Sequence, residues 1–334
     1  MSQFNTFEAL LVEETQDHQF TKRIVTRALE DLPNNELLID VYYSSLNYKD
    51  AASASGNKRI TRQYPHTPGI DAAGRVISDK SDTFEPGDEV LVFGYDLGMN
   101  TPGGLGKVIS IPPSWAVKRP DTLTLKEAMI YGTGGITAAL CIQKLEKMGA
   151  TPGDGPVAVT GATGGVGTIS IALLKQLGYQ VVAFTGKPQQ SEHLKAIGAD
   201  EVLHRDVLND VGSAPVGKER WAHAIDTLGG NYLANLVKQI KSGGAVANCG
   251  LASSPEFSLN VFPFITRGVS LLGVDSVYIP LADKQSIWQR VATDMKLPNL
   301  ERFCEQISLA QTPQYLERFL QGQVVGRYLV DLKK

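Results

Sequence analysis

The residues most able to do chemistry lie in the run Val157-Ala-Val-Thr-Gly-Ala-Thr-Gly-Gly-Val-Gly167. Its glycines follow a short apolar strand candidate, Val157–Thr160. They precede a stretch in which Ile169, Ala172, Leu173 and Leu177 recur at helical spacing. A turn stripped of side chains lets the backbone approach a pyrophosphate, and the opening turn of a helix offers unpaired N–H groups with partial positive charge. The alternative is a glycine turn that serves packing alone. An NADH site carries Asp or Glu about 20 residues further on to bind the ribose hydroxyls. Here that position reads Phe184-Thr-Gly-Lys187, and no carboxylate follows until Glu192. Thr185 can donate a hydrogen bond, Lys187 brings positive charge, and Arg205 after the third strand candidate can add a second cation. Taken singly, either cation reads better as solvated surface charge than as a phosphate contact. The missing acid and the Thr-Gly-Lys run together favour NADPH.

The elements that must position these residues fall into stretches of different rhythm. Residues 1–124 carry short β-like runs, Glu36–Tyr43, Ala72–Ile77 and Glu89–Phe93, separated by Pro65, Pro68-Gly69, Pro86-Gly87 and Pro112-Pro113. That pattern suits a compact, coiled β domain, with Glu85-Pro-Gly-Asp88 as a hairpin-type turn. From about 125 the chain alternates strand and helix. Val181–Phe184, Glu201–His204, Ala222–Ile225, Ala245–Asn248 and Val269–Gly273 continue the strand series, and Gly178 stops the first helix. A short helix is expected over Glu192–Ile197, capped by Ser191 and ended by Gly198. Such alternation implies right-handed crossovers and a parallel sheet covered on both faces, a doubly wound α/β domain over 125–278. Beyond 278 the residues look helical until Gly326–Asp331, which reads as a strand rejoining the first domain.

Bulk properties exclude several classes. The 334 residues exceed one small core. Hydrophobic residues at 43% and charged residues at 20% are ordinary for a globular protein. A net charge of −3 gives no global attraction to nucleic acid or anionic lipid. Cys141, Cys249 and Cys304 are scattered and odd in number, which argues against a disulfide framework or a CxxC zinc cluster. No secretory pattern opens the sequence, and no apolar run approaches the ~18 residues of a membrane span. A cytoplasmic protein acting on a small molecule, with neither nucleic-acid nor membrane partner, is expected.

Several motifs then appear in order along nearly the whole chain: Asn47-Tyr-Lys-Asp50, Pro68-Gly-Ile-Asp-Ala-Ala-Gly74, Gly87-Asp-Glu-Val90, Thr160–Gly167, Leu177-Gly178, Ile197-Gly-Ala-Asp200 and Gly326-Arg327. With them the sequence resembles the medium-chain dehydrogenase/reductase superfamily, and within it the quinone oxidoreductase branch. Ser44–Asp50, Ala224–Gly229, Cys249–Ala252, Pro263–Ile265 and Gly273–Ser276 are similar to the acrylyl-CoA reductase subgroup, which reduces acrylyl-CoA to propionyl-CoA with NADPH. The resemblance implies a GroES-like catalytic domain, 1–124 completed by 279–334, and a Rossmann NADPH-binding domain between them. It also implies an active site in the cleft and homodimerisation through a sheet edge near Val269–Val274. Zinc-dependent members use a Cys near the position of Asn47, a His within the segment Pro68–Asp71 and a second-domain Cys. This chain has Asn47 and Asp71 there and no cysteine before Cys141, so no metal is expected.

By the same resemblance Tyr48 lies against the nicotinamide end of the cofactor and is the first candidate for contact with the reacting groups, with Asn47 and Asp50 behind it. The implied cofactor residues are Tyr48, Thr163, Gly164, Gly165, Val166, Thr185, Gly186, Lys187 and Arg205. On the nicotinamide side they continue with Leu251, Ile265 and Ser276, then Gln321. Lys187 stands where close relatives often have Arg, which keeps the charge and loses the bidentate fork. Gly56-Asn-Lys58-Arg59-Ile-Thr-Arg62 is the basic cluster nearest the Tyr48 motif. It could line a CoA path or be an exposed charged loop. Three functions stay open: an NADPH-dependent acrylyl-CoA reductase, a quinone or small-enone reductase, and an NADPH-binding protein without turnover.

Overall fold

A computed structural model describes residues 5–334. The chain forms two compact units. One runs from the N-terminal part to Gly134 and takes in Val277–Asp294 and Pro298–Lys334; the other comprises Gly135–Ser276 and Met295–Leu297.

The first unit is β-rich. Its seven-stranded sheet runs Cys304–Ser308, Arg327–Asp331, Leu37–Ser45, Asp71–Asp79, Glu89–Phe93, Ala116–Lys118, with Val108–Ile111 pairing Leu37–Ser45 off this path. An antiparallel hairpin of Thr6–Glu14 and Phe20–Ala28 stands beside it. Leu37, Ile39 and Val41 alternate inward and are fully buried with Leu10, Val12, Val92 and Ile109, because a strand's side chains point to opposite faces. Asp71–Asp79 pairs antiparallel with Glu89–Phe93, and the connection turns at Gly87, whose φ is 93°. Arg327–Asp331 pairs antiparallel with Leu37–Ser45, with Leu329 opposite Ser45. Cys304–Ser308 lies parallel to it, a strand in a stretch expected to be helical. It forms because its partner at 327–331 comes from beyond the intervening helix Thr312–Leu320, a pairing that local periodicity does not carry. Lys284, fully buried on the helix Leu281–Val291, donates to the carbonyls of Phe93 (2.6 Å) and Val277 (3.2 Å) and lies over the Tyr95 ring.

The second unit is a six-stranded, all-parallel sheet ordered Glu201–His204, Val181–Thr185, Val157–Val159, Trp221–Asp226, Ile240–Asn248, Ser270–Gly273. In chain order that is 3-2-1-4-5-6, the doubly wound dinucleotide-binding arrangement, with its switch point between Val157–Val159 and Trp221–Asp226. Val181–Thr185 is buried throughout, as a central parallel strand covered on both faces must be. The fold is therefore α/β, a Rossmann-type doubly wound sheet in one unit and a β-rich sheet in the other. Ser191 departs from expectation. It is the first residue of the helix Ser191–Ala196, not its cap; a 3₁₀ turn over Pro188–Gln190 leads in, and its hydroxyl bonds back to the carbonyl of Pro188. No helix among the described residues is long and apolar enough to cross a membrane.

Candidate active and nucleotide site

In the first unit the motif Asn47–Asp50 opens the helix Tyr48–Ala54. Asn47 has extended backbone, and its N–H donates to Asp50 Oδ2 at 2.7 Å, which ties the two residues across the first turn. The other carboxylate oxygen of Asp50 accepts from the N–H groups of Gly69 (3.1 Å) and Ile70 (2.9 Å). Asp50 is fully buried, and burial, with the charge of Asp71 second, pushes its carboxyl up to about 7 against the amide bonds that favour ionisation. Both its oxygens are occupied by backbone, so its chemical effect is to position the turn that presents Tyr48. Tyr48 itself is 60% exposed, and its hydroxyl has no partner among the described residues.

Beneath that turn lies a polar cluster that sequence reasoning did not assemble. Asn47 Nδ2 donates to Asp71 Oδ2 at 2.7 Å, and Arg327 Nη1 donates to Asn47 Oδ1 at 3.1 Å. Arg327 also donates to Ser45 Oγ (2.7 Å) and to the Ile130 carbonyl (3.1 Å), and its Nη2 lies 3.8 Å from Asp71 Oδ2. Asp71 accepts further bonds from the Ser45 hydroxyl and from Thr133 N–H and hydroxyl. Asn47, Asp50, Asp71 and Arg327 are all buried. Buried charge demands pairing and saturated hydrogen bonding, and this set supplies both. The available signal was an arginine heading an otherwise apolar run at Tyr328–Val330.

In the second unit the glycine turn sits at the carboxyl end of Val157–Val159, at the switch point. Gly161 takes a φ of 59°. A Cβ on Gly167 would come within 2.4 Å of the Gly161 carbonyl and 2.8 Å of Ala162 Cα, so only glycine lets the helix Gly165–Gln176 start this close to the strand. Asp226 anchors the turn from below. It accepts from Thr160 Oγ1 (2.6 Å), Gly229 N–H (2.8 Å) and Asn248 Nδ2 (2.9 Å), while Thr227 N–H donates to Thr160 Oγ1 at 3.0 Å. Burial pushes the Asp226 carboxyl above its usual range. Thr163 is buried within the turn, and Gly164, Gly165 and Val166 are half-buried at the start of the helix, where backbone N–H groups await an anion.

Thr185 and His204 are register partners at the ends of adjacent strands, which brings Thr185-Gly-Lys187 beside Arg205. A Cβ on Gly186 would lie 3.0 Å from Arg205 Nε, so the guanidinium stem rests on bare backbone there. Thr185 Oγ1 accepts from the Lys187 N–H at 2.9 Å, and burial lowers the Lys187 ammonium from its ordinary range. The Arg205 guanidinium lies over the Tyr232 ring, 5.3 Å from its centroid. These groups form one polar corner fit for a phosphomonoester.

The remaining expected contacts are carried by other elements. Leu251, 61% exposed, follows the strand Ile240–Asn248, and Ile265, 71% exposed, is on the helix Phe262–Arg267. Ser276 accepts from Thr137 Oγ1 at 2.9 Å. Gln321 caps the C-terminus of Thr312–Leu320 in the first unit and is exposed. Of the basic cluster, Lys58 is already engaged: its ammonium pairs with Glu14 at 2.5 Å and lies over the Tyr64 ring. The side chains of Arg59 and Arg62 are exposed and have no partner among the described residues.

Residues 33–121 match the alcohol dehydrogenase GroES-like domain, and 165–293 match the zinc-binding dehydrogenase family. Putative quinone oxidoreductase YhfP of Bacillus subtilis (strain 168) is 43% identical over 98% of this chain and 99% of its own length. The chain belongs to the medium-chain dehydrogenase/reductase superfamily, in its zinc-free quinone oxidoreductase branch. Probable acrylyl-CoA reductase AcuI of Escherichia coli (strain K12) is 42% identical over 97% of this chain and 99% of its own. Among solved structures, the yhdH oxidoreductase from Salmonella enterica in complex with NADP superposes with a TM-score of 0.94 at 41% identity, covering 97% of this chain and 99% of that one. Bacillus subtilis yhfP with NAD bound gives 0.95 at 43% identity, covering 98% and 99%.

Zinc-dependent members of this superfamily hold a metal ion, but the side chains of this chain do not suit one. Asn47 and Asp71, at the positions of interest, are committed to Arg327, Ser45 and Thr133, and the guanidinium already puts a positive charge 3.8 Å from Asp71. Among the described residues no group of three His, Cys, Asp or Glu is gathered to hold a metal ion.

Proposed function

We propose that this member of the superfamily reduces the carbon–carbon double bond of acrylyl-CoA to propionyl-CoA with NADPH. The observation that carries the cofactor reading is the corner of Thr185, Gly186, Lys187 and Arg205: two cations and a hydroxyl where an NADH site keeps a carboxylate. Its bare backbone and positive charge suit a 2′-phosphate, and the side-chain-free turn at Gly161–Gly167 suits the pyrophosphate. The NADP carried by the Salmonella relative supports the same reading; the NAD bound to yhfP makes the preference one to be measured. For the substrate, support comes from the E. coli relative named an acrylyl-CoA reductase.

When bound, the reduced nicotinamide supplies the hydride that goes to the β-carbon of the enoyl thioester. The protein's part is placement and charge stabilisation. Tyr48, exposed and with no hydroxyl partner among the described residues, donates a hydrogen bond to the thioester oxygen as negative charge develops there, and a proton reaches the α-carbon from Tyr48 or water. Asn47 and Asp50 hold the turn that presents Tyr48. Arg59 and Arg62 are the cations left to meet the CoA phosphates.

A second reading, reduction of quinones or small enones, is favoured by the YhfP relative's name. Following NADPH absorbance with acrylyl-CoA, crotonyl-CoA and a quinone in parallel separates the readings. Strong preference for acrylyl-CoA supports the first and quinone preference the second. No turnover with any of them leaves a nucleotide-binding protein.

We also propose a homodimer through the strand Ser270–Gly273. It is the outer strand of its sheet, and Val261, Phe262 and Ile265 expose apolar surface in the preceding segment.

A further inference from the structure

Arg205 is a surface arginine with no carboxylate bonded to its guanidinium among the described contacts, yet its side chain has two close neighbours. Gly186 leaves the gap on one side: any Cβ there would meet Nε at 3.0 Å and Cζ at 3.1 Å. The guanidinium also lies over the Tyr232 ring, 5.3 Å from Cζ to its centroid. The next residue poses a hazard. Asp206 is a carboxylate adjacent in sequence to the cation, and left mobile it would compete with a bound phosphate for Arg205. Two groups restrain it. The Tyr232 hydroxyl donates to Asp206 Oδ1 at 2.7 Å, and the imidazole of His204 stands 3.3 Å from Oδ2. Tyr232 is half-buried on the helix Gly230–Val237 and packs against the core built on Trp221, Leu233 and Leu236, so its ring is a fixed platform.

We propose that Tyr232 is a positioning residue for nucleotide specificity: its ring orients the Arg205 guanidinium toward the adenosine 2′-phosphate, and its hydroxyl keeps Asp206 turned away. The inference rests on the NADPH reading above and adds a residue that acts through Arg205. An arginine free to rotate loses entropy on capturing a phosphate, whereas one stacked on an aromatic face is pre-organised. The two parts of Tyr232 make separable contributions. Removing the hydroxyl releases Asp206 and leaves the platform; removing the ring abolishes both.

The test is titration of NADPH and of NADH, separately, into the full-length wild-type protein and its Arg205→Ala, Tyr232→Phe, Tyr232→Leu and Tyr232→Phe/Asp206→Asn variants. Arg205→Ala should weaken NADPH by about tenfold or more, as expected for loss of a charge-assisted contact, with NADH unchanged. Tyr232→Leu should weaken NADPH about threefold to fivefold, again with NADH unchanged. Tyr232→Phe should fall between wild type and Tyr232→Leu, and adding Asp206→Asn should restore NADPH binding to the wild-type level. A merely structural role for Tyr232 would weaken both nucleotides equally, and that result overturns the proposal. So does an unchanged NADPH-to-NADH ratio in both Tyr232 variants when Arg205→Ala shifts it, a result that leaves the NADPH reading standing. If Arg205→Ala itself leaves the ratio unchanged, the 2′-phosphate assignment fails and the proposal falls with it.

Discussion

Arg327 and Asn47, 280 positions apart in the chain, meet in one buried hydrogen bond, Nη1 to Oδ1 at 3.1 Å. The amide of the same Asn47 side chain donates to Asp71 at 2.7 Å. Its orientation is thereby set from both ends: the oxygen faces a cation and the nitrogen an anion. Since Asn47 caps the helix that begins with Tyr48, the exposed phenol is held by a saturated ionic cluster.

Replacing Arg327 with Met leaves Asp71 and the Asn47 oxygen buried without their cation. Removing one partner of a buried pair costs about 3–5 kcal/mol. Chemical denaturation should register that loss, with Arg327→Lys intermediate because it keeps the charge and loses the fork. A midpoint unchanged in Arg327→Met would mean that the cluster contributes nothing to stability.

Gly132 sits at φ 47°, ψ −161° where the helix Leu125–Lys147 breaks. A Cβ there would meet Ser45 Oγ at 2.4 Å, Arg327 Nη2 at 2.5 Å and Asp71 Oδ2 at 2.7 Å. Gly132→Ala should therefore destabilise by at least about 1–3 kcal/mol from backbone strain alone, read as a lowered denaturation midpoint. A neutral substitution would contradict this packing.

The raised carboxyl of Asp50, at about 7 when folded against ~3.9 in an unfolded chain, carries a definite sign. Between these values the folded state holds the proton and the unfolded state has lost it, so folding is favoured most below about 4 and this contribution is lost as pH rises to about 7. Comparing stability against pH for wild type and Asp50→Asn should show a decline over that window that the variant lacks, with a slope of up to about 1.4 kcal/mol per pH unit. Parallel curves would mean that Asp50 titrates normally.

Tyr48→Phe removes an exposed hydroxyl that bonds to nothing described, so stability should stay within about 0.5 kcal/mol. If the hydroxyl stabilises the developing charge, kcat should fall about 10²-fold while NADPH affinity is retained. Stopped-flow measurement of nicotinamide oxidation reads the chemical step directly; an undiminished rate would remove Tyr48 from the chemistry.

Substituting Arg59 and Arg62 together with Ala should raise KM for acrylyl-CoA severalfold and leave KM for an uncharged enone unchanged, since a surface cation meets only the phosphate-bearing substrate. Lys58 is left in place because Glu14 and Tyr64 already hold it. Equal changes for both substrates would exclude a CoA path over this loop.

What was legible in the residues alone is local. The strand, turn and helix of Val157–Gln176, the Thr185-Gly-Lys187 run and the succession of strand segments from 157 to 273 declare themselves through contiguous pattern, because side-chain periodicity and glycine spacing act over a few residues. Tertiary structure alone decided which distant groups meet: Arg327 with Asn47 and Asp71, Asp226 with Thr160, Tyr232 with Arg205, the sheet order 3-2-1-4-5-6, and the strand Cys304–Ser308 with its later neighbour. Those contacts exist because burying a charge or a strand edge requires a partner, and which partner arrives depends on how the whole chain packs.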